Sequence, residues 1–190
     1  RFASDWILLG AEGRVGEGDL KINENWHAYG AEVRAAADGV IVEIKDGVPE
    51  NAPLTDERAL PVTRETIGGN YVFQDLGGGA FAFYAHMIPG SLRVRAGEQV
   101  RAGQVLGLLG NSGNSDAPHL HFHVCNGPDP FASEGIPFLF TEFARMRDIR
   151  QAEADSMIAG GRFVAGDVPE HVSRRRGEMP AGETLLIGVF

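Results

Sequence analysis

Apolar and polar residues alternate with period two over much of the chain, in short runs bounded by Gly, Pro, Asn and Asp, which is the pattern of strands and turns. Phe2 to Leu9 reads as a buried strand interrupted by one charge, Asp5. Residues 10–29, rich in Gly, Glu and Asn, predict a long loop bordering a cleft. From Ala31 two strands flank Asp38-Gly39, the second running Val40 to Lys45 before a turn at Asp46-Gly47, and this is a hairpin signature. Pro49, Pro53 and Pro61 among charged residues mark 48–67 as an exposed insertion able to flank a groove. Asn70 to Leu76 and Ala80 to His86, around Gly77-Gly78-Gly79, predict a second hairpin.

Beyond it an internal echo, Val94-Arg-Ala-Gly97 and Val100-Arg-Ala-Gly103, predicts paired turns. A turn-rich stretch from Gly110 to Pro118 then feeds a strand reaching Val124. The pattern continues with a loop over 126–137 and an aromatic strand from Phe138 to Phe143. Residues 142–158 lack Gly and Pro and read as a helix; Arg174 to Arg176 form a solvated run, and Leu185 to Phe190 a last strand returning to the sheet. The fold class expected is all-β and mainly antiparallel: one β domain over 1–137, with a loop-rich, partly helical C-terminal extension, 138–190, packed on the same domain.

Bulk properties narrow this little. At 190 residues the chain can bury a core within one domain, and no apolar run reaches membrane-spanning length. A net charge of −9 argues against a nucleic-acid partner, while acidic walls would suit a substrate bearing amino groups. A lone cysteine, Cys125, forbids an internal disulfide and is better suited to packing than to nucleophilic attack. The chain begins at Arg1 rather than Met, so an upstream segment, with any export signal, is expected to be missing from it.

Candidate chemistry concentrates in Gly110-Asn-Ser-Gly-Asn-Ser-Asp-Ala-Pro-His-Leu-His-Phe-His-Val124. On a strand His119, His121 and His123 share one face, with Leu120, Phe122 and Val124 on the other. Same-face neighbours lie about 7 Å apart, so charging one imidazole disfavours charging the next. Neutral imidazole is both a metal ligand and a general base near pH 7. Asp5 admits two readings, a salt bridge or a metal ligand, and His27 three: it lines the cleft, substitutes as a ligand or is a polar loop residue.

The string Pro118-His119-Leu120-His121-Phe122 behind Gly110-Asn-Ser-Gly-Asn-Ser resembles the signature of the lysostaphin/LytM-type zinc metallopeptidases, endopeptidases of bacterial cell walls. Arg1-Phe-Ala-Ser-Asp-Trp6, Tyr29-Gly30 through Asp38-Gly39-Val40, and Tyr84-Ala85-His86-Met87 resemble further segments of that family, so the likeness covers roughly residues 1–125. The resemblance implies a β-sandwich of the lysostaphin/lipoyl-like (barrel-sandwich hybrid) type. It also implies Zn2+ held by Asp5 and His121, with His119 as catalytic base and His86 stabilising the oxyanion. The implied substrate is a peptidoglycan stem or cross-bridge peptide, and the implied location periplasmic or secreted. Two positions depart from the pattern: Arg1 stands where relatives carry a third ligand His, and His123 where Glu or Gln is common.

Two other classes are compatible with the chain. A degenerate, non-catalytic relative would use the same groove to bind wall peptides or regulate another hydrolase; retention of His86, His119, His121 and Asp5 favours an enzyme. A carrier domain shares the paired turns but needs a modifiable Lys at a hairpin tip. Only Lys21 and Lys45 exist, and Lys45 reads as a turn-flanking solvent residue.

Overall fold

A computed structural model describes residues 2–10, 13–148, 151–159, 173–179 and 184–189. The chain divides into two compact units, one of Arg1–Leu8 with Gly16–Ile136, the other of Leu9–Val15 with Pro137–Phe190. Both are built mostly from antiparallel strands, as the period-two pattern requires.

In the first unit the strands are β1 (Ser4–Trp6), β2 (Glu32–Arg34), β3 (Gly39–Lys45), β4 (Asn70–Gly77), β5 (Ala80–Met87), β6 (Gln99–Val100), β7 (Val105–Leu108), β8 (Leu120–Cys125) and β9 (Gly135–Ile136). Seven of them form one sheet in the order β1-β8-β5-β4-β3-β6, with β9 also on β8, while β2 and β7 form a separate pair. The hairpin of β4 and β5 turns at Gly77-Gly78-Gly79, all three at positive φ, which only glycine adopts freely. Gly97 and Gly103 of the internal echo also have positive φ and close the paired turns ahead of β6 and β7.

Three expectations fail here. Phe2 to Leu9 is not a buried strand: only Ser4–Trp6 is extended, along the edge of β8, with Asp5 exposed. The Asp38-Gly39 turn does not join a hairpin, because β2 pairs with β7, and β3 with β4 and β6. Asp38 Oδ1 instead accepts the Ala102 N–H at 2.8 Å, and Gly39 lies so close to β4 that a Cβ would stand 2.2 Å from the Asp75 carbonyl oxygen. Residues 126–137 are not all loop, since Gly135 and Ile136 return to pair with β8.

Both faces of the large sheet are covered. Tyr71, Phe73, Phe83, Ala85 and Cys125 pack on one face, with Phe81 and Phe131 against them. Cys125 is thus a core residue, and burial pushes its thiol pKa up, opposite to the shift a nucleophile needs. On the other face Tyr84 packs 5.1 Å from Phe122, and its hydroxyl donates to Gln74 Oε1 and accepts the Ala36 N–H.

The second unit holds β10 (Phe140–Asp148), α1 (Gln151–Ile158), β11 (Ser173–Glu178) and β12 (Thr184–Val189), with β10 between β11 and β12. Among the described residues of 142–158, helix spans 151–158 and 142–148 is strand, because propensity is a weak prior against a two-sided ladder. The Arg174–Arg176 run lies at the surface, as expected, but on a strand: Glu142 accepts from Arg174 Nη1 at 3.0 Å and Arg176 Nε at 2.8 Å. The last strand forms, yet pairs with β10 rather than rejoining the large sheet.

Candidate metal centre

Sheet register brings the sequence-distant candidates together. Asp5 on β1 faces His121 on β8, which faces Ala85 on β5. His121 Nδ1 and Asp5 Oδ1 lie 2.8 Å apart, and His119 Nε2 is 3.7 Å from the same oxygen. The Asp5 side chain keeps 63% of its surface exposed, and exposed ion pairs are worth roughly 0–1 kcal/mol. Stability is thus a poor reason for the pairing. The adjoining rings desolvate the Asp5 carboxyl, which would raise its pKa. The His121 hydrogen bond and the fields of His119, His121 and His86 prevail and hold it below the usual range.

His86 reaches the same point by breaking the strand rule. Regular alternation would place it with Ala82 and Tyr84, away from the face that Ala85 shares with His121. Its φ of 67° takes it out of alternation, and its ring centroid lies 5.8 Å from that of His121 and 4.8 Å from that of His119. The conformation is held from several sides: its N–H donates to Gly68 O at 3.1 Å, its carbonyl accepts the Gly110 N–H at 3.0 Å, and Nδ1 donates to Ser112 O at 2.8 Å. Ser112 is fixed by Asn70, whose backbone N–H and Nδ2 both reach Ser112 Oγ, at 2.9 and 3.1 Å. Gly69 and Gly113 permit this contact, since a Cβ on either would lie 2.5 Å or less from the other segment's backbone.

A carbonyl only accepts, so His86 carries its proton on Nδ1 and leaves Nε2 bare. Burial, then the neighbouring His119 and His121 rings, push its pKa down to about 3. His119 has the same polarity, its Nδ1 donating to Ala117 O at 2.8 Å, with Ser115 Oγ donating to that carbonyl at 2.9 Å. Buried His86 and half-buried His119, as neutral rings with the proton on Nδ1, thus turn bare Nε2 atoms toward Asp5 and His121.

His123 stacks 5.0 Å from Phe83, and its Nδ1 lies 3.2 Å from His121 Nε2. His27 is half-buried in the loop and has no hydrogen bond to this cluster. Arg1 lies outside the described residues. Asn70, Ser112 and the Ala117 carbonyl were not singled out as site residues in the sequence. The paired Gly and Ser of 110–115 were the visible trace, being a turn built to bring backbone against backbone.

Phe83 also connects the cluster to a cavity of about 300 Å³ lined by Glu43, Lys45, Arg64, Tyr71, Asp129 and Phe131, among others. Tyr71 and Phe131 each pack on Phe83, which sits 6.3 Å from His121. Arg64 of the 48–67 insertion pairs with Asp129 at its rim, and the Tyr71 hydroxyl donates to Glu43. The insertion is mostly exposed, as expected, but buried Asn51 ties it to the histidine loop by donating to Gly113 O and Ser115 O.

A zinc ion takes carboxylate oxygen and imidazole nitrogen at about 2.0–2.2 Å, which sets two donors on one ion roughly 3.3–3.5 Å apart. Asp5 and His121 are of the right chemistry and need only open by about half an ångström from 2.8 Å to fit. Among the described residues no three His, Cys, Asp or Glu side chains stand in a metal-holding arrangement, so the pair is two donors of a set that normally numbers three.

Over 59 residues the chain is 39% identical to lysostaphin of Staphylococcus simulans and 37% identical to the glycyl-glycine endopeptidase ALE-1 of Staphylococcus capitis. These matches cover 30% of the chain but only 12% of lysostaphin and 16% of ALE-1. Among solved structures, the catalytic domain of S. simulans lysostaphin aligns over 64% of this chain and 84% of its own, at 27% identity and a TM-score of 0.41. The model of one family matches residues 25–132, more than half the chain, including His86, His119 and His121 though not Asp5. The chain belongs to peptidase family M23.

Proposed function

We propose that this chain is a zinc metalloendopeptidase that hydrolyses peptide bonds in peptidoglycan stem or cross-bridge peptides, acting in the periplasm or outside the cell. Residues 1–137 would carry the catalysis, and 138–190 an extension of that domain. The observation that carries the reading is the meeting of the Asp5–His121 pair with two imidazoles whose Nε2 atoms are free to take a proton. Support for a wall peptide comes from the M23 match and from the names of its relatives, lysostaphin and a glycyl-glycine endopeptidase.

Asp5 and His121 would hold the metal, which when bound supplies Lewis acidity to a carbonyl and eases deprotonation of water. His119 Nε2 takes the proton of the attacking water as its oxygen bonds to the scissile carbonyl carbon. His86 begins as an acceptor and can donate to the developing oxyanion only once protonated. A pair of rings sharing one proton meets both needs, one as base and one as donor. Breakage of the C–N bond returns the proton to the departing amine, and the rings regain their resting state. The Ser112 and Ala117 carbonyls keep both Nδ1 atoms protonated throughout, so the exchange is confined to Nε2.

Cleavage of purified peptidoglycan and of a glycine-rich cross-bridge peptide, with zinc content measured in parallel, tests this. His119→Ala and His86→Ala should each lower kcat by about 10²–10⁴-fold with zinc retained, and His121→Ala should lose both. Wild-type protein that binds wall peptides without cutting them, zinc supplied, would favour the binding or regulatory relative instead.

A further inference from the structure

We infer that the cavity beyond Phe83 is a subsite for a carboxylate of the substrate peptide, and that Lys45 is the residue that selects it. The inference rests on the reading of this face as one that binds a peptide to be cut, and adds the chemistry of a group recognised away from the scissile bond. Sheet register supplies the line between the two places. Asp5 pairs with His121 and His121 with Ala85, while Lys45 on β3 pairs with Tyr71 on β4. The register shift between Asn70 and Val72 sets Tyr71 against the end of β5 that holds Ala85. Residues directly opposite one another share a face, so this row runs from the metal centre to the cavity. From His121 to Lys45 is three strand spacings, about 14 Å, which an extended peptide covers in about four residues.

The charges of the cavity are unevenly matched. Asp129 Oδ1 accepts the Phe131 and Ala132 N–H groups at 2.9 and 3.1 Å, and its Oδ2 takes Arg64. Glu43 accepts the Tyr71 hydroxyl, and the exposed Glu65 accepts the Thr63 hydroxyl at 2.7 Å. Every carboxylate here has a donor. Lys45, read from its turn as a solvent residue, is half-buried instead and lines the cavity. Among the described residues its ammonium has neither a hydrogen bond nor an ion pair. Arg64, 5.9 Å from the Phe131 ring centre, commits one amino group to Asp129 and keeps other N–H donors. An incoming ammonium would meet carboxylates that already have donors, beside two cations. An incoming carboxylate supplies the missing acceptor and forms a charge-assisted hydrogen bond with Lys45. Tyr71 and Phe131, packed on Phe83, wall the approach with apolar surface for the chain that carries it.

The test titrates ¹⁵N-labelled protein, zinc-free so that no metal competes for the carboxylate, at about pH 7. The probes are acetyl-tetraglycine as the acid and as the amide, acetyl-triglycyl-glutamate amide and acetyl-triglycyl-lysine amide. We expect a carboxylate-bearing probe to bind about 10-fold more tightly than the tetraglycine amide, with amide shifts at Tyr71, Asp129 and Phe131. Preference for the tetraglycine acid assigns a chain terminus as the source of the carboxylate, and preference for the glutamate peptide a side chain. Lys45→Met, which keeps an unbranched stem without the charge, should abolish the difference, and Lys45→Arg should keep most of it. Equal affinity for acids and amide, tightest binding of the lysine peptide, a preference that survives in folded Lys45→Met, or shifts confined to other residues overturns the inference. Should zinc-loaded wild type cut no wall peptide, the peptidase reading fails, while these titrations still decide whether the cavity takes a carboxylate.

Discussion

At the scale of single residues, His86 concentrates the unusual features of the site: a left-handed backbone, nearly complete burial and a proton fixed on Nδ1. A non-glycine residue in that conformation costs roughly 1–3 kcal/mol, which the surrounding contacts must offset. Ser112 is central to that support, because its hydroxyl satisfies Asn70 and its carbonyl holds the ring. Ser112→Ala should lower stability by about 1–3 kcal/mol, since it leaves the buried Asn70 backbone N–H unpaired, and should lower kcat more than it raises KM. Denaturant midpoints and peptide-cleavage kinetics check the two halves. Burial also makes His86 sensitive to acid. Its folded pKa, about 3, lies below the ordinary 6.5, so the unfolded chain binds more protons between those values. Its contribution is therefore complete above about pH 6.5 and is lost as pH falls toward about 3. Between pH 7 and 5, zinc-free wild type should lose about 2 kcal/mol more than a folded His86→Phe variant. Equal losses in urea titrations would contradict the burial argument.

Elements show what alternation can and cannot specify. The shared face of His121 and His123 and the β4–β5 hairpin follow from period two and a run of glycines, and both are local facts. Partner choice is not local. The same Asp-Gly signal that predicts a hairpin at 38–39 sends β2 and β3 to different neighbours, because Gly39 docks against the backbone of β4. Likewise, 142–148 has helical composition yet forms the middle strand of a sheet. His86 stood out in the sequence only through the family likeness of Tyr84-Ala85-His86-Met87, and the left-handed turn that aims it depends on contacts with Gly68, Gly110 and Ser112, which no spacing rule encodes. The two segments that build this turn meet at Gly69 and Gly113. Gly69→Ala should be among the most damaging small substitutions in the chain, since its φ of 62° and a Cβ within 2.4 Å of Ser112 Oγ forbid a side chain. Loss of more than about 2 kcal/mol is expected in chemical denaturation, against a smaller loss of roughly 1 kcal/mol at Gly47→Ala, where a φ of 87° strains a side chain but nothing lies within 4 Å of a Cβ.

Across the whole molecule, the fold class and the segments of the site were readable, and the geometry between them was not. Asp5 and His121 are far apart in the chain, and only the pairing of an edge strand with β8 makes them neighbours. Residue types alone left Asp5 open between salt bridge and ligand; its exposure, together with three imidazoles gathered around it, favours the second. The cavity beyond Phe83 extends the same face across β5, β4 and β3, a distance that an extended peptide covers in about three or four residues. Cleavage of longer peptides should therefore suffer in KM when Tyr71 is replaced by Ala, and that of dipeptides should not. The position of a bound metal is the decisive observable. Diffraction from zinc-soaked crystals, recorded on both sides of the zinc absorption edge, should show an anomalous peak about 2.0–2.2 Å from both Asp5 Oδ1 and His121 Nδ1. A fully loaded crystal with its peak elsewhere, or with none within reach of that pair, would contradict it.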